Sequence, residues 1–135
     1  MDKKIDKSWF EVNGTLRRID FDGDSHFRFP DEVAERVLNT YSEKNHWVLD
    51  PFAGFGTTLH VAQSMGRNAV GIELDAKRAE FAKKGLIEPN KVIQNRAENV
   101  GNLKGTYIFD LVFTSPPYMS VRLEDDPWGK TYSKI

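Results

Sequence analysis

The sequence contains no cysteine. That excludes disulfides, thiolate metal sites and any cysteine nucleophile supplied by this chain, and it fits a reducing compartment. No apolar run is long enough to span a bilayer, and the N-terminus carries no signal-peptide pattern. The cytoplasm is therefore the expected location, with no membrane partner. A one-sided charge is absent too: 19 basic against 20 acidic residues leave a formal net charge of −1. A protein that grips nucleic acid through its phosphates usually shows a basic face. Tight DNA binding would need a local basic patch or a part outside this chain. His26, His46 and His60 lack metal-ligand spacing, so no metal is expected. Internal repeats and low-complexity segments are lacking as well.

What is present reads as one globular domain. The 135 residues are 39% hydrophobic and 29% charged, and such a chain buries roughly two thirds of its unfolded surface. Residues 8–29 alternate loosely and predict a small β element. Asn13-Gly14 is one hairpin-turn candidate, because both turn positions call for positive φ, and Asp22-Gly23 is a second. Pro30-Asp31 opens a helix, with Asp31 as its expected N-cap and Val33, Val37, Leu38 and Tyr41 on one apolar face. From Trp47 strands and helices alternate: strand 47–50, helix 57–65 closed by Gly66, strand 68–72, helix 75–84 closed by Gly85, then strands 92–94 and 107–114. This order predicts an α/β fold with about four parallel strands joined by crossover helices. In such sheets ligands bind beyond the carboxyl ends of the strands.

Two motifs fall at such ends. Asp50-Pro51-Phe52-Ala53-Gly54-Phe55-Gly56-Thr57-Thr58 follows the first of these strands and opens the helix after it. Gly54 and Gly56 allow a tight turn and a close backbone approach, and the helix N-terminus offers free N–H groups. Glu73, at the end of the next strand, can accept both hydroxyls of a ribose. The third glycine of a dinucleotide fingerprint would stand where Leu59 is, which disfavours NAD and FAD. The second motif is Ser115-Pro116-Pro117-Tyr118. Its two prolines stiffen the loop after the last strand, and Tyr118 offers a flat face to a base.

Asp50–Thr58 together with Thr114–Tyr118 closely resembles the amino-methyltransferases of DNA restriction–modification systems. The resemblance covers roughly residues 27–118. It implies a Rossmann-like methyltransferase sheet that binds S-adenosyl-L-methionine through Asp50, Pro51, Phe52, Ala53, Gly54, Gly56, Thr57 and Thr58. Asp50 and the glycine loop would hold the methionine part, Glu73 the ribose, and Leu74 would lie beside the adenine. The family usually has an acidic residue after the third strand; Arg96 stands there instead. Residues 27–30 resemble a segment that often lies over the cofactor, with a plain packing role as the alternative.

The same resemblance makes Ser115, Pro116, Pro117 and Tyr118 the catalytic group. Ser115 Oγ and the Pro116 carbonyl would accept the two hydrogens of an exocyclic amine, and Tyr118 would stack on a base flipped out of DNA. Serine in the first position resembles the cytosine-N4 enzymes more than the adenine-N6 ones. Methylation at a cytosine ring carbon would need the missing cysteine. Similar motifs serve RNA-base and protein-glutamine methylation, which is the alternative reading; an inactive cofactor-binding fragment is a third. A full catalytic domain of this family has further strands and a target-recognition region. Residues 1–29 are thus expected to be an N-terminal β extension, 30–118 an incomplete catalytic core and 119–135 a truncated tail. A second chain supplying the missing strands is the expected partner besides DNA.

Overall fold

The computed structural model describes residues 10–12, 17–21 and 23–116. Strands β1 (Arg17–Phe21) and β2 (Asp24–Arg28) form an antiparallel hairpin in which Phe21 pairs with Asp24. The turn holds Gly23 at φ 81°, so the second of the two turn candidates joins these strands. Asn13-Gly14 lies outside the described residues. The hairpin is seated through Phe21, whose ring meets Phe55 at 5.3 Å and Phe81 at 5.7 Å, both edge to face. Such aromatic contacts add stabilisation beyond the area they bury.

Helix α1 (Asp31–Tyr41) departs from expectation in two ways. Its N-cap is Pro30, in an extended conformation with no side-chain cap, and Asp31 is already helical. Asp31 and Glu32 favour the start of the helix through their charge in its first turn instead. Its fully buried positions are Ala34 and Leu38, while Tyr41 is exposed. Two features rotate the helix this way. Ala34 is small enough to let α1 approach its neighbour. The buried guanidinium of Arg67 donates from Nη2 to the carbonyls of Leu38 (3.2 Å) and Ser42 (2.8 Å), closing the C-terminal end of α1.

The main sheet has four parallel strands in the order β5-β4-β3-β6: β3 is Trp47–Asp50, β4 Asn68–Glu73, β5 Lys91–Gln94 and β6 Leu111–Val112. Helix α2 (Thr57–Ser64) connects β3 to β4, and α3 (Ala76–Lys83) connects β4 to β5. Asp75 caps α3 by accepting the Arg78 N–H at 2.8 Å, a contact of about 1 kcal/mol. A 3-10 helix (Ala97–Leu103) follows β5, and the chain then comes back beside β3 on its other flank. The strand order therefore reverses between β3 and β6. At such a switch point the segments leaving the two strands diverge and open a crevice.

The last strand is shorter than its apolar run predicted. Only Leu111 and Val112 pair with β3. Ahead of them the Asp110 carboxylate accepts the Trp47 N–H at 2.8 Å, and the Tyr107 ring stacks on Phe109 (5.6 Å) and meets Trp47 at a tilt (5.3 Å). Apart from the Asp110 N–H, which donates to Trp47 O at 2.9 Å, residues 107–109 serve this aromatic cluster rather than the ladder, and Ile108 is left 87% exposed.

Candidate active site

The loop after β3 is seated by packing. Gly71 of β4 makes room for it: a Cβ there would stand 2.7 Å from Ala53 Cβ and 2.9 Å from both Leu59 methyls. Ala53 is buried, and its N–H donates to Ile72 O at 2.8 Å. Gly56 turns the chain into α2 with φ 86°, and a Cβ on it would lie 2.9 Å from Ala82 Cβ on α3. Below it, His60 Nε2 donates to Ala82 O at 2.8 Å, a structural tie between α2 and α3. Gly54 is different. Its φ is 55°, yet nothing lies within 4 Å of where its Cβ would be. Its missing side chain leaves space on the open side of the loop, which suits a ligand.

Two carboxylates hold this loop from inside. Asp50, 3% exposed, accepts at Oδ1 from the Phe52 N–H (3.1 Å) and from the Thr114 hydroxyl (2.6 Å). Burial pushes its carboxyl above the ordinary carboxylate value; the hydrogen bonds from Thr114 and the Phe52 N–H, with the nearby Thr58 hydroxyl, work against that rise, and the Glu73 charge adds to it. Among the described residues Asp50 Oδ2 accepts no bond of good geometry. The buried Thr58 hydroxyl lies near enough to Asp50 to favour its ionised form, yet it completes no hydrogen bond of full geometry. A buried hydroxyl left unsatisfied beside a costly carboxylate calls for an explanation. A cationic or donor group of a ligand would satisfy both.

Glu73 does more than the ribose reading asked of it. Its Oε2 accepts the Gly54 N–H at 2.7 Å and its Oε1 the Asp75 N–H at 3.0 Å. It thereby ties the glycine loop to the start of α3. A carboxylate offers about four lone-pair sites, so about two remain for a ligand. Leu74 next to it is 63% exposed and available to a flat ring. Arg96, in the place where an acidic residue was expected, is engaged by Glu98 through two bonds of 2.8 and 3.1 Å.

The second motif meets the first across the switch point. Thr114, Ser115 and Pro116 leave β6 beside Asp50, with Ser115 half-buried and Pro116 exposed. Pro117 and Tyr118 lie outside the described residues. Thr114, part of the motif but given no role from sequence, is the residue that joins the two loops. The segment 27–30 packs at the same edge: the Phe29 ring meets Phe113 at 6.1 Å. A cleft lined by Phe55 and Thr57 also brings Arg28, His60 and Lys84 together; no sequence signal linked these three. Among the described residues no cluster of His, Asp and Glu could hold a metal ion, and no helix is long and apolar enough to cross a membrane.

Known proteins give this geometry a family. The DNA methylase family profile matches residues 2–84. The type II methyltransferase M.MthZI of Methanothermobacter thermautotrophicus is 29% identical over 94% of this chain and 39% of its own length. M.SmaI of Serratia marcescens is 38% identical over 64% of this chain and 30% of its own length. M.HinfI of Haemophilus influenzae is 44% identical over 45% of this chain and 18% of its own length. The chain thus spans at most 39% of the length of these relatives. Among solved structures, a conserved hypothetical protein of Streptococcus pyogenes superimposes with a TM-score of 0.54 at 28% identity, over 67% of this chain and 61% of its own. A SAM-dependent methyltransferase from Agrobacterium tumefaciens shares the fold, with a TM-score of 0.55 at 20% identity over 79% of this chain and 41% of its own. On these grounds the chain belongs to the DNA methylase family of amino-methyltransferases.

Proposed function

We propose that this chain binds S-adenosyl-L-methionine in the loop 50–58 and carries the target-amine site of a restriction–modification methyltransferase on residues 115–118. The observation that supports it most is the meeting of the two motifs at one switch point, with the orphaned Thr58 hydroxyl and the open side of Gly54 facing the same loop. Asp50 and Thr58 fit the ammonium of the methionine part, the remaining lone pairs of Glu73 fit the ribose, and exposed Leu74 fits the adenine. When bound, the cofactor supplies an electrophilic methyl on a sulfonium.

The chain's own residues would then act by placement. An aromatic amine is a poor nucleophile because its lone pair is delocalised into the ring. Ser115 Oγ makes no hydrogen bond among the described residues, so it is free to accept one amine hydrogen while the Pro116 carbonyl accepts the other. That draws the nitrogen toward tetrahedral geometry. Ser115 is too weakly basic for a true general base, and most of the acceleration comes from orientation and electrostatics. Tyr118 would return about 1–3 kcal/mol of the cost of extruding the base by stacking on it. The base is cytosine in preference to adenine, the compartment is the cytoplasm, and a second chain is the partner besides DNA.

Calorimetric titration with S-adenosylmethionine tests the first half of this reading. The second half is tested by incubating the chain, alone and with the product of any neighbouring reading frame, with labelled cofactor and duplex DNA, followed by nucleoside analysis. Label in N4-methylcytosine is the expected result. Label in N6-methyladenine would reverse the base assignment, and label only in RNA or protein would overturn DNA as the substrate.

A further inference from the structure

The ladder between β3 and β6 ends for a reason written in the sequence. Its last described bond runs from the Phe113 N–H to Leu49 O at 3.0 Å. The next rung of a parallel ladder would take its donor from residue 51. That residue is Pro51, which has no N–H. Among the described residues no backbone hydrogen bond holds Thr114, Ser115 or Pro116. What replaces the missing rung is a side-chain bond one residue on: Thr114 Oγ1 to Asp50 Oδ1 at 2.6 Å, between positions 64 apart in the chain.

We propose that Thr114 is a positioning residue whose hydroxyl, held on the Asp50 carboxylate, sets where the Ser115–Pro116 backbone stands and links occupancy of the cofactor loop to placement of the target-amine loop. The inference rests on the reading of 50–58 as the cofactor loop. A hydrogen bond from a hydroxyl to an ionised carboxylate is short and about twice as strong as a neutral one. The β-branched side chain of threonine is stiff at χ1, so fixing Oγ1 also fixes the backbone that carries it. On one side Phe113 is braced by Phe29. On the other, Ser115 follows directly, so any movement of Thr114 is passed to the acceptor that would meet the amine.

The link runs both ways. The groups facing Asp50 are the Thr114 and Thr58 hydroxyls, the Phe52 N–H and the Glu73 carboxylate, which is the one charged neighbour among them. Thr114 favours the ionised form of Asp50, the form that would hold a cationic cofactor group. A ligand that needs Asp50 ionised therefore strengthens the Thr114 bond, and by linkage a well-placed Thr114 strengthens binding of that ligand by the same factor.

The test uses the whole chain with Thr114→Val, Thr114→Ala and Thr114→Ser. S-adenosylmethionine affinity is titrated from pH 5.5 to 8, and hydrogen exchange is read at the Thr114 and Ser115 amides with and without cofactor. Both hydroxyl-free variants should bind about tenfold more weakly at the acid end, as expected for a lost bond to a charged group. Their loss of affinity on acidification should begin at higher pH than in the wild type. Cofactor should slow exchange at the two amides in the wild type and in Thr114→Ser, and not in the other two. Thr114→Ala guards against a packing fault caused by the extra methyl of valine at the carboxylate. Unchanged pH profiles with unchanged protection in both hydroxyl-free variants overturn the inference. So does an equal loss at every pH that serine does not restore, since that is what a plain staple would give. A wild-type chain that binds no cofactor would instead overturn the cofactor-loop reading itself, and this inference with it.

Discussion

The two loops at the switch point are built on opposite plans. The loop 50–56 is fixed by close packing: Ala53 against Gly71, Gly56 against Ala82, and two carboxylates accepting backbone N–H groups from beneath. The loop beginning at Thr114 is hung from one side-chain bond at a sheet edge, with Val112 ahead of it 58% exposed. The first plan suits a site that must hold one ligand in one pose, because packing leaves the backbone no alternative position. The second leaves the loop freer to shift, because a single hydrogen bond can break and reform at modest cost. On the proposed function, binding and chemistry would fall to regions of different stiffness.

Glu73→Ala should have the largest effect. It frees the Gly54 and Asp75 N–H groups and removes the charged acceptor expected for the ribose. Bonds to charged groups are worth roughly 1.5–3 kcal/mol, so affinity for S-adenosylmethionine should fall about 10- to 150-fold by calorimetry. Affinity within twofold of wild type would show that the carboxylate serves the loop and not the ligand.

Gly71→Ala attacks the packing plan directly. The new methyl would overlap Ala53 and Leu59, and such overpacking costs about 1–3 kcal/mol in chemical denaturation. An unchanged midpoint would mean that the first loop is no more rigidly seated than the second.

Asp50→Asn sharpens the contrast through pH. Burial raises the Asp50 pKa in the folded chain. A group with a raised folded pKa supports folding below its unfolded value, and that support is lost as pH rises through the folded value. Ionised Asp50 therefore weighs against stability near neutrality, and asparagine carries no such charge. The variant should melt at a higher temperature than wild type at pH 7, and the difference should shrink on acidification toward pH 4, while cofactor affinity drops. A variant that melts lower at pH 7 would show that the carboxylate is retained for the fold.

The smallest effect on binding belongs to Ser115→Ala. Its hydroxyl makes no hydrogen bond to the loop 50–58 among the described residues. Affinity for S-adenosylmethionine should stay within about 0.5 kcal/mol of wild type, while any methylation rate falls. Loss of affinity comparable to that of Glu73→Ala would erase the division of labour between the two loops.

Much of this was legible in the chain itself, and the legible part was local. The alternation of strand and helix, the Asp22-Gly23 turn, the stops at Gly66 and Gly85 and the two motifs all act over a few residues, through side-chain periodicity and the conformations that glycine and proline permit. Even the end of the β3–β6 ladder was encoded, by the missing N–H of Pro51. What the sequence could not supply was the choice among partners that many positions could have satisfied. Leu38 is buried on α1 as its spacing predicts, but Ala34 joins it and Tyr41 does not, because Ala34 carries little apolar signal and Arg67 reaches the C-terminus of α1 from 29 residues beyond Leu38. Strand 107–114 was overlong because the Asp110 side chain and the Tyr107 ring spend those residues on Trp47. Whether Glu73 would face a ligand or the Gly54 N–H, and which hydroxyl would meet Asp50, depended on β6 lying beside β3 and not beyond β5. A carboxylate pairs with whatever donor the sheet order brings within about 3 Å, and sheet order is set by the burial of the whole sheet, a quantity no single stretch of sequence contains.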